Sequence, residues 1–252
     1  MEFKRIRQQY FSPAAFPNLI TLFNLFSGFL SVLMVIHQNY ELAAGLIILG
    51  LVCDSLDGHI ARIFHNPTDF GRELDSLADV VTFVVAPCVL AVTLLFFEMP
   101  LIMFVVSFFY ISAGGYRLAR YNLETSPGSK TAFQGLPTPA AAVTLAMAVI
   151  TFNEFGWTEH PRCAEFTAIL MAGLSYLMVS HIRYPKFSAV KFVTWRALFY
   201  LMVALLVIFT LAFNFATAAT VIILAYVILS PVFCVFNRDL FREEKDSTPE
   251  AV

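Results

Sequence analysis

The sequence predicts an all-α fold: a polytopic membrane bundle of about eight transmembrane helices, with both termini in the cytoplasm. Three observations carry this expectation. Hydrophobic residues make up 59% of the chain and charged residues only 13%, whereas a soluble domain averages about 25% charged; the mean hydropathy is +0.75. The apolar residues fall into eight runs, about 19–37, 42–63, 73–97, 101–120, 136–153, 164–182, 194–213 and 217–236, each near the roughly 20 residues a helix needs to cross a bilayer. With the N-terminus placed in the cytoplasm, all but Arg162 of the 16 Lys and Arg residues lie on the cytoplasmic side, as the positive-inside rule requires. An odd number of spans would put the basic C-terminal segment outside.

Residues 1–16 combine Lys4, Arg5 and Arg7 with Phe3, Ile6, Tyr10 and Phe11. They read as a short interfacial segment on the inner leaflet or as a basic tail. No cleavable signal peptide is expected, because the first apolar run is a full span without a small-residue cleavage site. The membrane unit extends over residues 17–242, and EEKDSTPEAV at 243–252 reads as a disordered tail. The first span, PNLITLFNLFSGFLSV at 17–32, carries Asn18, Thr21, Asn24 and Ser27–Gly28 at spacings of three and four. That stripe serves either close helix packing or contact with a ligand. The fourth span ends in GGYRLARYN at 114–122, where Arg117 and Arg120 lie one turn apart; they are membrane anchors or a guanidinium site for phosphate. In FQGLPTPAAA at 133–142, Pro137 and Pro139 suit the first turn of the fifth span, with Gln134 and Gly135 just before it. The last three spans carry little motif information. Cys53, Cys88, Cys163 and Cys234 have no paired spacing and indicate neither a disulfide framework nor a zinc site.

The chemistry concentrates between the second and third runs, in DSLDGHIARIFHNPTDFGRELDSLAD at 54–79. A carboxylate within a membrane helix costs about 2.5–3.5 kcal/mol on an insertion scale, so such groups mark function. Asp54 and Asp57 are three apart and Asp75 and Asp79 four apart, so each pair shares one helix face. Pro67 breaks the intervening helix and Gly71 permits a turn, so two helices joined by a short loop would bring both pairs together. Four converging carboxylates call for a positive charge, most naturally a divalent metal with oxygen ligands. Gly58 and Ala61 fall near this face and leave room for a ligand against the backbone, and Arg62 can meet a phosphate or a carboxylate. Asp69 in the loop and Glu73, which points away from Asp75, read as ordinary solvated acids.

The pattern D-x2-D-G-x2-A-R-x8-G-x3-D-x3-D, with Gly71 as its later glycine, resembles the signature of the CDP-alcohol phosphotransferase family without a departure. The resemblance implies a membrane enzyme that moves a phosphoalcohol group from a CDP-linked donor to an alcohol and releases CMP. It further implies two metal ions, Mg²⁺ or Mn²⁺, held by Asp54, Asp57, Asp75 and Asp79, with Asp79 as general base. Taken with the stripe at 17–32, RLARYN and QGLPTPAAA, the chain looks like the multi-pass phosphatidylserine synthase branch, over about its first 142 residues. That branch implies CDP-diacylglycerol as donor, L-serine as acceptor, membrane lipids as surroundings and a homodimer. Donor contacts are then expected from Asn18, Thr21, Gly58, Ala61, Arg62 and Gly71. A pocket for the lipid phosphate or for serine is expected from Arg117, Arg120, Asn122 and Gln134. The protein would sit in the cytoplasmic (inner) membrane with its active site facing the cytoplasm, and no nucleic-acid partner is expected.

Two rival readings are weaker. A sister enzyme acting on glycerol 3-phosphate or an inositol phosphate would need further cations for the acceptor's phosphate. An ion-coupled transporter would place its site near the midplane and show internal repeats; here the acidic cluster lies at one end of the spans and no repeat is visible.

Overall fold

Each apolar run within the described residues forms a helix. The structure, a computed structural model, describes residues 15–63, 69–95, 101–124, 132–158, 160–185 and 215–236. In order these are α1 (Ala15–Ile36), α2 (Tyr40–Ile63), α3 (Asp69–Asp79), a π-helical stretch Val80–Val85, α4 (Ala86–Leu95), α5 (Leu101–Glu124), β1 (Ala132–Gln134), α6 (Thr138–Glu154), α7 (Pro161–Val179), β2 (Arg183–Pro185) and α8 (Phe215–Phe236). Among the described residues, four stretches are long and apolar enough to cross a membrane: Asn18–Ile36, Phe70–Leu95, Leu101–Leu123 and Arg162–Val179. The run at 194–213, the N-terminal basic segment up to residue 14 and the tail at 243–252 lie outside the described residues.

Helix α6 is the centre of the bundle. Every residue from Ala141 to Ile150 is buried, and the helix packs against α2, α4, α7 and α8. Its sequence explains the position. In lipid, helices associate through close packing rather than hydrophobic transfer, so small residues belong at the contact. Ala141, Ala142, Ala146 and Ala148 supply them. Polar residues on α6 turn inward: Thr144 donates to the Ala140 carbonyl at 2.7 Å, and the Thr151 and Thr220 hydroxyls pair across α6 and α8 at 2.9 Å. An interhelical bond of this kind is worth about 0.6 kcal/mol.

The outward faces are apolar. Phe104, Phe108 and Phe109 on α5 and Phe166, Ile169 and Tyr176 on α7 are exposed, the composition of surfaces that meet lipid or another protein.

The architecture is helical as expected, with one short ribbon added to it. β1 and β2 pair antiparallel, with Ala132 opposite Pro185 and Gln134 opposite Arg183. Three-residue strands are too short to register as a hydropathy pattern. They exist because the neighbouring chain fixes them: Gly135 N–H donates to the Ile182 carbonyl at 2.8 Å and Leu136 N–H to the Leu177 carbonyl at 3.0 Å. Gly135 sits at φ +79, a region that favours glycine. A smaller difference is that Asp69 opens α3 rather than lying in the loop.

Two helices carry the aspartates, and a third unites them. α1 packs along α2 and also against α3, whereas α2 and α3 make little backbone contact with each other among the described residues. The close approach of α1 depends on glycine. A Cβ on Gly28 would lie 2.7 Å from the Thr82 Cα, so no larger residue fits there without displacing the π-helical stretch. The looser gap between α2 and α3 is where the carboxylates meet.

Candidate functional site

Asp54, Asp57 and Asp75 each place a carboxylate oxygen within 4.8 Å of the others. The convergence follows from local geometry: Asp54 and Asp57 occupy one face of the last turns of α2, and Asp75 projects from α3, whose polar and apolar residues segregate by helical face. Asp57 is buried, while Asp54 and Asp75 are half-buried. The Asp75 Oδ1 is buried with no hydrogen-bond partner. Three carboxylates at this distance repel one another, and a buried acceptor left without a donor costs about 1–3 kcal/mol. A divalent cation relieves both. An all-oxygen donor set suits a hard ion such as Mg²⁺, Mn²⁺ or Ca²⁺ rather than a thiolate-seeking metal.

Asp79 lies one turn further along α3 and is also buried. It is held from α1: the Asn24 Nδ2 donates to the Asp79 Oδ1 at 3.2 Å. Asp57 is held the same way, with the Thr21 hydroxyl donating to its Oδ2 at 2.8 Å. The polar stripe of α1 therefore faces the aspartates. Asn18, one turn before Thr21, is half-buried.

Gly58 is exposed, and a Cβ built there would meet nothing within 4 Å, so the backbone beside Asp57 borders open space. Gly71 is half-buried near the start of α3. Ala61 and Arg62 lie on the last turn of α2, but their side chains fall outside the described residues.

The two arginines of α5 have different surroundings. Arg117 is 6% exposed. Its Nη1 donates to the Thr138 hydroxyl at the start of α6, its guanidinium lies 5.8 Å from the centre of the Tyr121 ring, and its Nε is buried without a hydrogen-bond partner. It is within electrostatic reach of Asp79 and Asp54. Arg120 instead binds backbone: Nη1 donates to the Val179 carbonyl at 2.9 Å and Nη2 to the Gln134 carbonyl at 2.8 Å. Longer contacts reach the Met178 and Ser180 carbonyls. Arg120 thus ties the end of α7 to the β1 turn. Gln134 enters this set through its main chain. The Asn122 Nδ2 donates to the Ser76 hydroxyl at 2.8 Å, linking the end of α5 to the residue after Asp75.

Asn24 belongs to the polar stripe that the sequence shows on α1, whereas Thr82, Thr138 and Ser76 are not singled out by sequence. Asn24 shares a row with Thr21 on α1, so the stripe itself was the signal. The other three are visible only once the helices are packed. A separate groove of about 420 Å³ between α5 and α7, bordered by Phe109, Tyr116, Tyr176 and Val179, contains none of the aspartates.

Residues 14–233 match the family model described as CDP-alcohol phosphatidyltransferase. The chain is 36% identical over 188 residues to a CDP-diacylglycerol–serine O-phosphatidyltransferase of Helicobacter pylori (strain ATCC 700392 / 26695), covering 75% of this chain and 78% of the relative. It is 36% identical over 172 residues to the protein of that name in Bacillus subtilis (strain 168), covering 68% and 90%. It is 35% identical over 179 residues to an archaetidylserine synthase of Methanothermobacter thermautotrophicus, covering 68% and 70%.

Proposed function

The chain belongs to the CDP-alcohol phosphatidyltransferase family, and on that premise we propose that it transfers the phosphatidyl group of CDP-diacylglycerol to the hydroxyl of L-serine, forming phosphatidylserine and CMP. The relatives' names supply the two substrates. The observation that carries the chemistry is the meeting of Asp54, Asp57 and Asp75 within 4.8 Å, beside buried Asp79 and Arg117.

Each residue then has a task. Asp54, Asp57, Asp75 and Asp79 would hold two divalent ions, Mg²⁺ or Mn²⁺, whose chemistry when bound is to neutralise the diphosphate and the departing CMP. The open side of Gly58 leaves space for the cytidine end of the donor. Asn18, Thr21, Ala61, Arg62 and Gly71 would supply further contacts to the donor. Arg117, Arg120, Asn122 and Gln134 form the pocket for the lipid phosphate or for serine, with Arg117 the member whose Nε still lacks a partner. Asp79 accepts the proton of the serine hydroxyl. The serine oxygen bonds to the phosphorus that carries diacylglycerol, and the bond from that phosphorus to the CMP oxygen breaks. Asp57 and Asp79 each keep one oxygen engaged by α1, which holds their orientation.

The same reading extends to the whole chain. Residues 17–242 form the membrane catalytic unit with its signature at 54–79, residues 1–16 lie at the interface and 243–252 form a tail. Eight spans with cytoplasmic termini place the aspartates at the cytoplasmic face of the inner membrane, where a nucleotide-linked donor is available. The distribution of Lys and Arg supports this orientation. The functional unit is a homodimer, as the branch implies.

An acceptor comparison tests the assignment. Purified protein with CDP-diacylglycerol and Mg²⁺ should release CMP with L-serine, and little with glycerol 3-phosphate or inositol phosphate. A clear preference for a phosphorylated acceptor would overturn the serine assignment and leave the family membership intact.

A further inference from the structure

Asn24 is completely buried and touches both the candidate base and the turn that follows it. Its Nδ2 donates to the Asp79 Oδ1 at 3.2 Å. Its backbone carbonyl accepts from the Thr82 hydroxyl at 2.9 Å and from the Ser27 hydroxyl at 2.7 Å. Thr82 belongs to the π-helical stretch Val80–Val85, which begins immediately after Asp79. One residue of α1 therefore grips both the Asp79 carboxylate and the helical turn that follows it. Single π turns inside helices are frequent at functional sites.

The surroundings restrict the amide. A Cβ on Gly50 would lie 2.9 Å from the Asn24 Oδ1 and would also collide with the Thr82 side chain. Gly28 and Gly50 thus form a slot that seats Thr82, and Gly50 leaves room for the oxygen end of Asn24. That oxygen is buried without a hydrogen-bond partner. Turning the amide over would set its oxygen against the Asp79 carboxylate, so the donor must face Asp79. A buried amide oxygen left without a donor costs about 1–3 kcal/mol, so what Asn24 contributes lies in its donor end, on Asp79.

We propose that Asn24 is a positioning residue for Asp79: it occupies Oδ1, and with Thr82 it fixes the turn so that Oδ2 faces the acceptor hydroxyl. The inference rests on the functional reading above, in which Asp79 takes that proton. Thr82 is the second member of the device, and Gly28 and Gly50 are its seat.

The test uses the full chain with its divalent metal. Asn24→Leu removes the donor at similar volume, and Asn24→Ala serves if the first variant is not monodisperse. Single-turnover CMP release should fall about 10- to 100-fold, part of the 10²–10⁴ a general base supplies. Mn²⁺ affinity, read by electron paramagnetic resonance, and the KM for CDP-diacylglycerol should stay within about threefold, because the converging carboxylates of Asp54, Asp57 and Asp75 are untouched by the change. On an Asp79→Asn background the same substitution should change the rate by less than about threefold, as expected of residues acting through one another. Thr82→Val should lose less than Asn24→Leu, and Thr82→Ser should restore the rate. Full turnover in Asn24→Leu, equal losses on both backgrounds, or a matched loss of Mn²⁺ binding would overturn the proposal. If the wild type prefers an alcohol other than serine, the acceptor assignment fails, and the same comparison on that alcohol still decides the role of Asn24. A wild type that releases no CMP with any alcohol overturns both.

Discussion

Replacing Asp79 with asparagine leaves metal and CDP-diacylglycerol binding close to wild type and lowers CMP release about 10²- to 10⁴-fold. The magnitude is that of a general base. The reasoning is geometric. Asparagine keeps the volume of the side chain and leaves Asp54, Asp57 and Asp75 to hold the cation, but neither end of its amide can take a proton from a hydroxyl. Asn24 donates to the Asp79 Oδ1, and an asparagine can offer its own oxygen to the same donor, so α1 and α3 should pack as before. The measurement is donor affinity and single-turnover rate on one preparation. Near-normal turnover would mean that another group, or water, takes the proton. A loss of donor affinity equal to the loss of rate would mean that Asp79 serves chiefly as a ligand.

Alanine at Asp54, Asp57 or Asp75 has a different signature. These three carboxylates lie within 4.8 Å of one another, so removing one takes away a ligand and opens the set. Mn²⁺ binding and turnover should fall together, with activity below about one-thousandth of wild type if charge neutralisation of the diphosphate is the main contribution. Chelation of the wild type should abolish CMP release, and Mg²⁺ or Mn²⁺ should restore it. Asp57→Ala also leaves the Thr21 hydroxyl without its 2.8 Å acceptor, so it should additionally lower thermal stability. Full activity in excess chelator would rule out the metal-dependent mechanism. Retained Mn²⁺ affinity in all three variants would place the ion elsewhere.

The contrast between the aspartate pairs and their supports explains what a reader of the sequence could find. Asp54, Asp57, Asp75 and Asp79 announce themselves because charge is rare in apolar helices and because helical spacing alone puts each pair on one face. The helices are legible for the same reason: hydropathy reports burial over 20 residues at once. Thr21 and Asn24 are half legible. Their row on α1 is plain, but whether it packs against lipid, another helix or the carboxylates depends on how α1 sits between α2 and α3. The π-helical stretch after Asp79 spans six residues, too few for its longer period to stand out from an α-helix. The β1–β2 ribbon is shorter still. Arg120 shows the limit most clearly. A guanidinium at the cytoplasmic end of a span suggests a phosphate site, yet its hydrogen bonds run to the Gln134 and Val179 carbonyls. Those acceptors lie 14 and 59 residues away in the chain, and no pattern in the sequence points to them.

Arg117 and Arg120, three residues apart on α5, thus divide between them what one motif suggested. Arg120 braces the junction from which α6 starts, and that junction presents Thr138 to Arg117. Arg117 is the one within electrostatic reach of Asp79 and Asp54, and its Nε is buried without a hydrogen-bond partner among the described residues.

The direct measurement of the account is the fate of the serine oxygen. L-Serine labelled with ¹⁸O in its hydroxyl, incubated with the purified protein, CDP-diacylglycerol and Mg²⁺, should yield phosphatidylserine that retains the label, with unlabelled CMP in equal amount. That outcome requires attack by the serine hydroxyl on the phosphorus bearing diacylglycerol. Phosphatidate with CMP-serine would place the attack on the nucleotide phosphorus, and phosphatidate with CMP would mean that water is the acceptor; either result would contradict it.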